Sequence, residues 1–184
     1  MNLPKSFIIE TIHLKLRIPS TEDFPHIFSA TKYEGFNDGM LWEPPNDITE
    51  LITPLKNGLK AWEKGEAFSF TIEEKNTGVF LGRISIRETS EKGIWNIGFW
   101  THPIHQKKGI MTEACQAILD FGFNQLAAKR IEACHALWNK ASEKVLQKNG
   151  MKLVRYIEQG FQKNGNWVAE NLLAIEIKEY KNRS

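Results

Sequence analysis

The sequence has 184 residues, of which 41% are hydrophobic, and this is enough for one substantial core. Lysine and arginine total 24 against 22 acidic residues, and a formal charge of +2 excludes the strongly basic character of a general nucleic-acid-binding protein. No apolar stretch is long enough to cross a bilayer, and the first apolar segment is too short for a secretory signal. We therefore expect one cytoplasmic domain over residues 1–184, with its core at about 11–180 and without direct contacts to nucleic acid or membrane.

Turn and breaker residues separate the predicted elements. In chain order these are a strand over 11–18, a short helix over 19–31, a loop over 33–46, a helix over 47–64 that Pro54 kinks or divides, strands over 68–73, 79–88 and 94–100, a helix over 109–127, a strand over 130–137, a helix over 140–149, and strands over 152–162 and 167–178.

The order of these elements predicts an α+β fold. The three strands from 68 to 100 are consecutive and predict an antiparallel meander. Strand and helix then alternate, and the Asn164–Gly165 turn joins a closing hairpin. Ile110, Ala114, Ile118 and Phe121 recur at helical spacing. No internal repeat or linker interrupts the chain, which supports a single mixed sheet.

The two cysteines, Cys115 and Cys134, form no Cys-x-x-Cys pair and have no histidine at the spacing of zinc ligands. Free cysteines are among the residue types most often buried. We interpret both as small buried thiols and expect neither a disulfide nor a metal site.

The loop between the strand that ends near His102 and the helix that begins near Gly109 is the candidate phosphate-binding segment. The first amides of a helix have no internal partner, and the helix dipole adds partial positive charge there. Gly109 lets a phosphate approach the backbone. Lys107 and Lys108 add positive charge beside it, and Thr112 adds a hydroxyl donor. The loop matches neither of the common glycine-rich motifs for ATP and NAD, and a simple turn explains a single glycine equally well.

A second motif, Asn139-Lys-Ala-Ser142 with a closing Gly150-Met151, follows a strand. Together with Gln106-Lys-Lys-Gly109-Ile-Met111, it resembles the Asn-x-x-Ser/Ala and Gln-x-x-Gly-x-Gly/Ala signatures of the GCN5-related N-acetyltransferase (GNAT) superfamily. Leu14-Lys-Leu16-Arg17 and Gly98-Phe-Trp100 resemble the branch that includes the bacterial ribosomal-protein N-terminal acetyltransferases. The resemblance implies a three-layer α/β/α fold with a mixed, mostly antiparallel seven-stranded sheet and about four flanking helices.

The resemblance also implies that acetyl-CoA is the cosubstrate, that no metal takes part, and that an amine attacks the thioester directly. In this family two parallel strands part to admit the pantetheine arm, and amides of residues 97–101 are expected to face the oxyanion. The implied cosubstrate-binding residues are Phe99, Trp100, Thr101, Gln106, Lys107, Lys108, Gly109, Ile110, Met111, Thr112 and Asn139. Met111 stands where the family pattern has Gly or Ala.

Leu146 stands where many family members have a tyrosine that protonates the departing thiolate. Ser142 is the candidate for this catalytic role, with Asn139 beside it. A helix cap explains Asn139 equally well, and a solvated helical serine explains Ser142. The candidate bases for the amine proton are His102, Glu43 and Glu158.

Trp42 and Glu43 are the candidate acceptor-binding residues, although Trp42 equally suits an anchor of its loop on the core. A free α-amine titrates at about 7.7–8.0 and a lysine side chain at about 10.4, so a neutral N-terminal amine is easier to supply. Acetylation of a protein N-terminus is the favoured function. Acetylation of a small amine such as a polyamine or aminoglycoside, and acyl-CoA binding without catalysis, stay open. The oligomeric state is open as well.

Overall fold

The structure is a computed structural model that describes residues 3–182. The first and last two residues of the expected domain lie outside this range. The described range contains eight strands and five α-helices: β1 (Ile8–Glu10), β2 (Leu14–Arg17), α1 (Phe24–Ala30), α2 (Ile52–Lys64), β3 (Ala67–Glu74), β4 (Phe80–Glu88), β5 (Ile94–Thr101), α3 (Ile110–Asn124), β6 (Arg130–Ala136), α4 (Lys140–Lys148), β7 (Lys152–Lys163), β8 (Asn166–Glu176) and α5 (Ile177–Lys181).

The eight strands form one sheet in the order β1-β2-β3-β4-β5-β6-β8-β7. Neighbouring strands are antiparallel except β5 and β6, which are parallel. Asn164 and Gly165, with φ of 50° and 77°, turn the chain from β7 into β8 as the sequence predicts. The mixed, mostly antiparallel sheet is confirmed, with eight described strands rather than seven.

The additional strand is β1, at the edge of the sheet. The strand predicted from Thr11 begins only at Leu14, because the chain turns between β1 and β2 and the Thr11 N–H donates to the Leu14 carbonyl at 2.9 Å. Ile12 belongs to the apolar alternation behind the strand predicted over 11–18, yet it is 85% exposed in this turn. A three-residue edge strand is too short to produce an alternation signal, so the sequence did not predict it.

The first helical region is shorter and more divided than predicted. A 3-10 turn over Thr21–Asp23, capped by the Ser20 side chain, leads into α1. Asp47 caps a second 3-10 turn, and α2 then runs from Ile52. Pro54 lies in the first turn of α2, where its missing N–H leaves no helical hydrogen bond unmade, so the division precedes the proline.

Two further predictions are corrected near the C-terminal end of the sheet. The last strand ends at Glu176, and α5 follows where the sequence predicted strand up to residue 178.

Cys134 is exposed on β6, whereas Cys115 is buried on α3, so only one cysteine is the buried thiol expected. Alternate residues of β6 face opposite sides of the sheet, and Cys134 falls on the side away from α3.

One face of the sheet, the α3 face, packs against α3 and holds the main apolar core. Phe68 and Phe70 of β3 contact Phe121 of α3, with ring centroids 5.5 and 5.8 Å apart. Ala114 and Ile118 of the predicted helical stripe are fully buried. Leu146 of α4 belongs to the same core, so α3 and α4 both cover this face.

The opposite face, the α1–α2 face, is more polar. Thr71 of β3 donates from its hydroxyl to Asp23 Oδ2 at 2.6 Å, which ties the start of α1 to the sheet. A smaller apolar cluster forms where Phe24 and Ile27 of α1 pack against Phe80. Helices therefore cover both faces, which confirms the predicted α/β/α layers, with five described α-helices rather than four.

Candidate functional site

The parallel strands β5 and β6 part soon after they meet. Pairing is confined to Ile94–Asn96 with Arg130–Glu132, although β5 continues to Thr101 and β6 to residue 136. On its other side β5 stays paired with β4 up to Thr101. Among the described residues, the edge of residues 97–101 that faces β6 has no strand partner. A gap with free backbone groups therefore opens within the sheet, beginning between Ile97 and the facing part of β6.

The loop that follows β5 exposes its amides at the start of α3. Lys107 and Gly109 have positive φ, 62° and 82°, and Gly109 is the N-cap of α3. Within residues 3–182, the N–H groups of residues 107–111 donate to no protein acceptor. Unpaired amides at a helix start form an anion-binding surface, and the loop is exposed.

Gly109 leaves open space in front of the loop. A Cβ at this position would have no protein atom within 4 Å, so the space is free for a ligand. Lys107 and Lys108 are both exposed in this loop. Gln106 points back along the chain, with its Nε2 3.5 Å from the Thr101 carbonyl oxygen.

Met111 does not obstruct this loop. Its side chain is only 5% exposed because it turns into the main core, whereas its amide stays at the helix start. The family preference for Gly or Ala at this position is therefore relaxed here without loss of the backbone surface. Ile110 is half-buried, and the Thr112 N–H bonds to the Gly109 carbonyl.

The second motif forms the start of α4 beside the gap. Asn139 caps α4, and its Oδ1 accepts from the Ser142 N–H at 3.1 Å, which confirms the capping interpretation. The Ser142 hydroxyl is half-buried and bonds to no other side chain or backbone group in the described range. Leu146 is fully buried in the core, and no proton donor stands at that position.

A side chain that the sequence reasoning did not single out anchors the start of α3. Glu113 accepts from the Thr11 hydroxyl at 2.6 Å and from the His13 N–H at 2.9 Å, and its other oxygen lies 3.0 Å from His13 Nδ1. Burial raises the pKa of Glu113, but these hydrogen bonds outweigh burial and hold the pKa below its ordinary value. The acid in the first turn after Gly109 was the available sequence signal.

A cavity of about 500 Å³ adjoins the loop on the side of β2 and the β3–β4 turn. Its polar lining includes His13, Glu74, His105, Lys108 and Glu113. Burial, followed by the charge of Lys108, lowers the pKa of His105. The loop therefore has an open recess on one flank and the β5–β6 gap on the other.

On the α1–α2 face, aromatic side chains line the approach to the gap. Phe36 meets the Trp100 ring edge to face at 5.2 Å, and Trp42 packs against Phe36 at 6.2 Å. Trp138 is 56% exposed and lies over Gly39, where a Cβ would come within 3.1 Å of its ring. The loop over residues 33–46 thus covers this side of the gap, and Trp42 anchors it.

Lys163, at the end of β7, fastens that loop to the hairpin. Its ammonium donates to the Trp42 carbonyl at 3.2 Å, to the Met40 carbonyl at 3.3 Å and to Glu43 Oε2 at 2.9 Å. The Lys163 side chain is only 9% exposed. Glu43 is consequently ion-paired with Lys163, so its carboxylate is less available to accept a proton from the amine.

The other two candidate bases are also poorly placed. His102 is 5% exposed, its Nε2 lies 2.9 Å from the Ser29 hydroxyl, and its Nδ1 faces the Ile104 N–H at 3.4 Å. Burial, followed by the charges of His105 and His26, lowers the pKa of His102. Both ring nitrogens of His102 therefore already have hydrogen-bond partners. Glu158 is exposed on the outermost strand β7.

Comparisons with known proteins agree with this geometry. A family model described as an acetyltransferase (GNAT) domain matches residues 13–152. Two relatives come from Bacillus subtilis (strain 168). The uncharacterized N-acetyltransferase YnaD is 30% identical over 172 residues, 94% of this chain and 98% of YnaD. The probable N-acetyltransferase YjcK is 31% identical over 115 residues, 61% of this chain and 64% of YjcK. The solved structure of RimL, a ribosomal L7/L12 alpha-N-protein acetyltransferase in complex with coenzyme A, has a TM-score of 0.84 at 21% identity and covers 94% of this chain and 99% of RimL.

A split parallel strand pair beside a helix start with free amides defines an acyl-CoA-dependent transferase. The chain belongs to the GNAT acetyltransferase family, and it is an N-acetyltransferase whose cosubstrate is acetyl-CoA. Within residues 3–182, no three His, Cys, Asp or Glu side chains are grouped so that they could hold a metal ion. No helix in the described part of the chain is long and apolar enough to cross a membrane.

Proposed function

We propose that this chain acetylates the α-amine of a protein N-terminus. The carrying observation is the gap between β5 and β6, which begins where their pairing stops after Asn96 and Glu132. On the α3 face, the first turns of α3 and α4 flank the gap. On the α1–α2 face, the aromatic side chains of the loop over residues 33–46 line the approach to it. Donor and acceptor can therefore meet in the gap from opposite sides. The proposal takes residues 1–184 as one acetyltransferase domain that works in the cytoplasm without nucleic acid.

The donor site consists of the loop and the free edge of β5. The pyrophosphate of acetyl-CoA would bind the amides of residues 107–111, with Lys107 and Lys108 beside it. The pantetheine arm would take the place of a strand along Phe99, Trp100 and Thr101, whose edge has no strand partner. Asn139, at the start of α4, borders the far side of the gap.

Acetyl transfer is a direct displacement in this site. The amine nitrogen bonds to the thioester carbon, and the oxyanion that forms accepts hydrogen bonds from amides of β5. The C–S bond then breaks and sulfur leaves with the electron pair. Ser142 protonates this thiolate, directly or through one water, since its hydroxyl has no other partner among the described residues. A thiol of pKa near 8.5 needs only modest help of this kind at neutral pH.

An α-amine fits this site better than a lysine side chain does. An α-amine titrates at about 7.7–8.0, so a useful fraction is neutral and nucleophilic at physiological pH. Trp42 and Glu43 lie at the edge of the approach, where an extended peptide could contact them. The likeness to RimL supports an acceptor of this class. A small amine is the alternative that the acceptor test must decide.

An acceptor screen tests the proposal. Purified protein with acetyl-CoA is given peptides with free N-termini, the same peptides with blocked N-termini, a polyamine and an aminoglycoside, and free thiol is measured as it is released. We expect thiol release and a mass gain of one acetyl group on free N-termini only. Turnover confined to the polyamine or the aminoglycoside would contradict the proposed acceptor.

The assignment of Ser142 has its own test. In Ser142→Ala we expect kcat to fall about tenfold, with acetyl-CoA affinity nearly kept. This is less than the roughly 10²–10⁴-fold of a full proton-transfer catalyst, because the leaving thiolate needs only modest help at neutral pH. Ser90→Ala, an exposed change in the β4–β5 turn, is the control. An unchanged kcat in Ser142→Ala would remove this residue from the mechanism.

A further inference from the structure

Glu170 is a carboxylate on β8 that no motif pointed to. It pairs with Ala136 of β6 on one side and with Ile157 of β7 on the other. Residues opposite each other in a sheet share a face, and alternate residues of a strand do so too. Glu170 therefore lies on the α1–α2 face, beside the part of β6 that has separated from β5.

The neighbours of Glu170 place its charge at the gap. Continuing the β5–β6 register past Asn96 and Glu132 brings Gly98 opposite Cys134, which is the first unpaired position on this face of the sheet. Cys134 is diagonal to Glu170 across the β6–β8 pair. Burial, followed by the charges of Glu170 and Glu132, raises the pKa of the Cys134 thiol to about 11. The two side chains are thus electrostatic neighbours on the acceptor side of the opening.

The carboxylate of Glu170 has no partner of its own. Within the described residues it accepts no hydrogen bond and forms no ion pair. Glu132 differs, since Arg130 pairs with it at 2.7 Å, and so does Glu43, which Lys163 holds. A half-buried carboxylate without a donor is costly unless a ligand supplies one. Unlike Glu132 and Glu43, Glu170 therefore has oxygens that remain available to an incoming amine.

The β7 strand makes room for this side chain. A bulge between Ile157 and Phe161 brings Gly160 against Glu170, and a Cβ on Gly160 would stand 2.5 Å from both Cγ and Oε2 of Glu170. No larger residue fits at position 160 while Glu170 keeps this orientation. Bulges commonly redirect a side chain next to an active site, and here the glycine sets where the carboxylate stands.

We propose that Glu170 binds the acceptor amine and takes its proton during acetyl transfer, a role that rests on the proposed function. As the nitrogen bonds to the thioester carbon, one N–H proton passes to a Glu170 oxygen. The C–S bond breaks, its electron pair leaves with sulfur, and the thiolate is protonated as described above. The products are the amide and coenzyme A, and Glu170 later releases its proton to solvent. A carboxylate also attracts acceptors that arrive as ammonium ions, which release one proton to solvent before the neutral nitrogen attacks.

Burial raises the pKa of Glu170 above its ordinary value. The titratable groups diagonal to it on this face are Cys134 from β6 and Arg155 from β7. A carboxyl group whose folded pKa is raised opposes folding as pH rises above its unfolded pKa. Glu170→Gln should therefore fold at pH 8 with a Tm equal to or above that of wild type. The difference should vanish at pH 4, where the unfolded carboxyl is largely protonated.

The experiment compares the full-length wild type with Glu170→Gln, Glu170→Asp and Gly160→Ala, using a peptide with a free N-terminus. We expect kcat to fall at least tenfold in Glu170→Gln, with the KM for acetyl-CoA within twofold of wild type. Glu170→Asp should recover part of this loss. Gly160→Ala keeps the carboxylate but displaces it, and it should also lose kcat. Glu91→Gln, the same change on the exposed β4–β5 turn, is the control.

The outcomes separate the two claims. If the wild type acetylates the peptide and Glu170→Gln keeps kcat within twofold, Glu170 is not the base although the proposed function stands. A lower kcat that comes with a lower Tm at pH 8 would show a structural role and overturn the inference as well. If the wild type acetylates no amine, the proposed function fails first and the role of Glu170 fails with it.

Discussion

At the scale of single residues, backbone conformation matters more than side-chain identity in the donor loop. Gly109 has φ of 82°, a region in which other residues are strained, and the space in front of it is open. Met111 carries a large side chain in the same loop without obstructing it, because that side chain is buried. The loop therefore needs glycine at the first of these positions only.

Gly109→Ala tests this distinction. We expect acetyl-CoA affinity to fall at least tenfold, because the new Cβ stands where the phosphate approaches and the backbone is strained by about 1–2 kcal/mol. Gly165→Ala is a matched control, since Gly165 has φ of 77° and equally open surroundings in the β7–β8 turn. Both variants should lose similar stability in a thermal melt. Equal acetyl-CoA affinity in the two would argue against a phosphate at Gly109.

At the scale of secondary-structure elements, the start of α3 is held by a contact across about a hundred residues. Glu113 binds Thr11 and His13, so the turn between β1 and β2 fixes the helix that carries the donor loop. The edge strand that the sequence failed to predict has a function in this respect, because it places that turn.

Glu113→Gln should weaken this attachment in a pH-dependent way. The folded pKa of Glu113 is lowered, so its contribution to stability is present above the unfolded pKa and is lost as pH falls through the folded value. We expect a lower Tm than wild type at pH 7 and a much smaller difference at pH 3, measured by calorimetry. Asp120→Asn on the same helix is the control, because burial raises the pKa of Asp120 and its removal costs no such stability. A Tm deficit independent of pH would contradict the assignment.

At the scale of the whole molecule, two distant segments enclose the side of the gap that we propose for the acceptor. The loop over residues 33–46 and the β7–β8 hairpin are joined by Lys163, which is nearly buried and has three acceptors. The loop adds aromatic walls, and the hairpin brings Glu170 and Gly160. The acceptor approach is therefore a tertiary assembly.

Lys163→Met should loosen that assembly. We expect the KM for the acceptor to rise about tenfold, because two carbonyls and Glu43 lose their shared donor while the donor loop is untouched. Acetyl-CoA affinity should stay within twofold of wild type. Lys60→Met, an exposed lysine on α2, is the control. A changed acetyl-CoA affinity with an unchanged acceptor KM would place the effect elsewhere.

The sequence alone determined the family and the mixed sheet, and it predicted the loop before α3 that we propose for the donor. These follow from local signals: the alternation of strands, the apolar stripe of α3, the glycine at a helix start and the cap at Asn139. The sequence did not predict the edge strand β1, the short helix α5 or the exposure of Cys134. Each of these depends on a neighbouring strand or on the face of the sheet on which a residue lies.

Only the tertiary structure decided the acceptor side. Glu43 and His102 were reasonable bases in the sequence, but Lys163 occupies the first and Ser29 binds the second. Glu170 gave no signal, because nothing in its local sequence differs from an ordinary strand acid. What distinguishes it is the bulge at Gly160 and the absence of any donor near its oxygens in the described range. The loop before α3 consists of consecutive residues, so its amides can be recognised from the sequence. Whether a carboxylate has a hydrogen-bond donor depends on strands that are far apart in the sequence, so only the tertiary structure shows it.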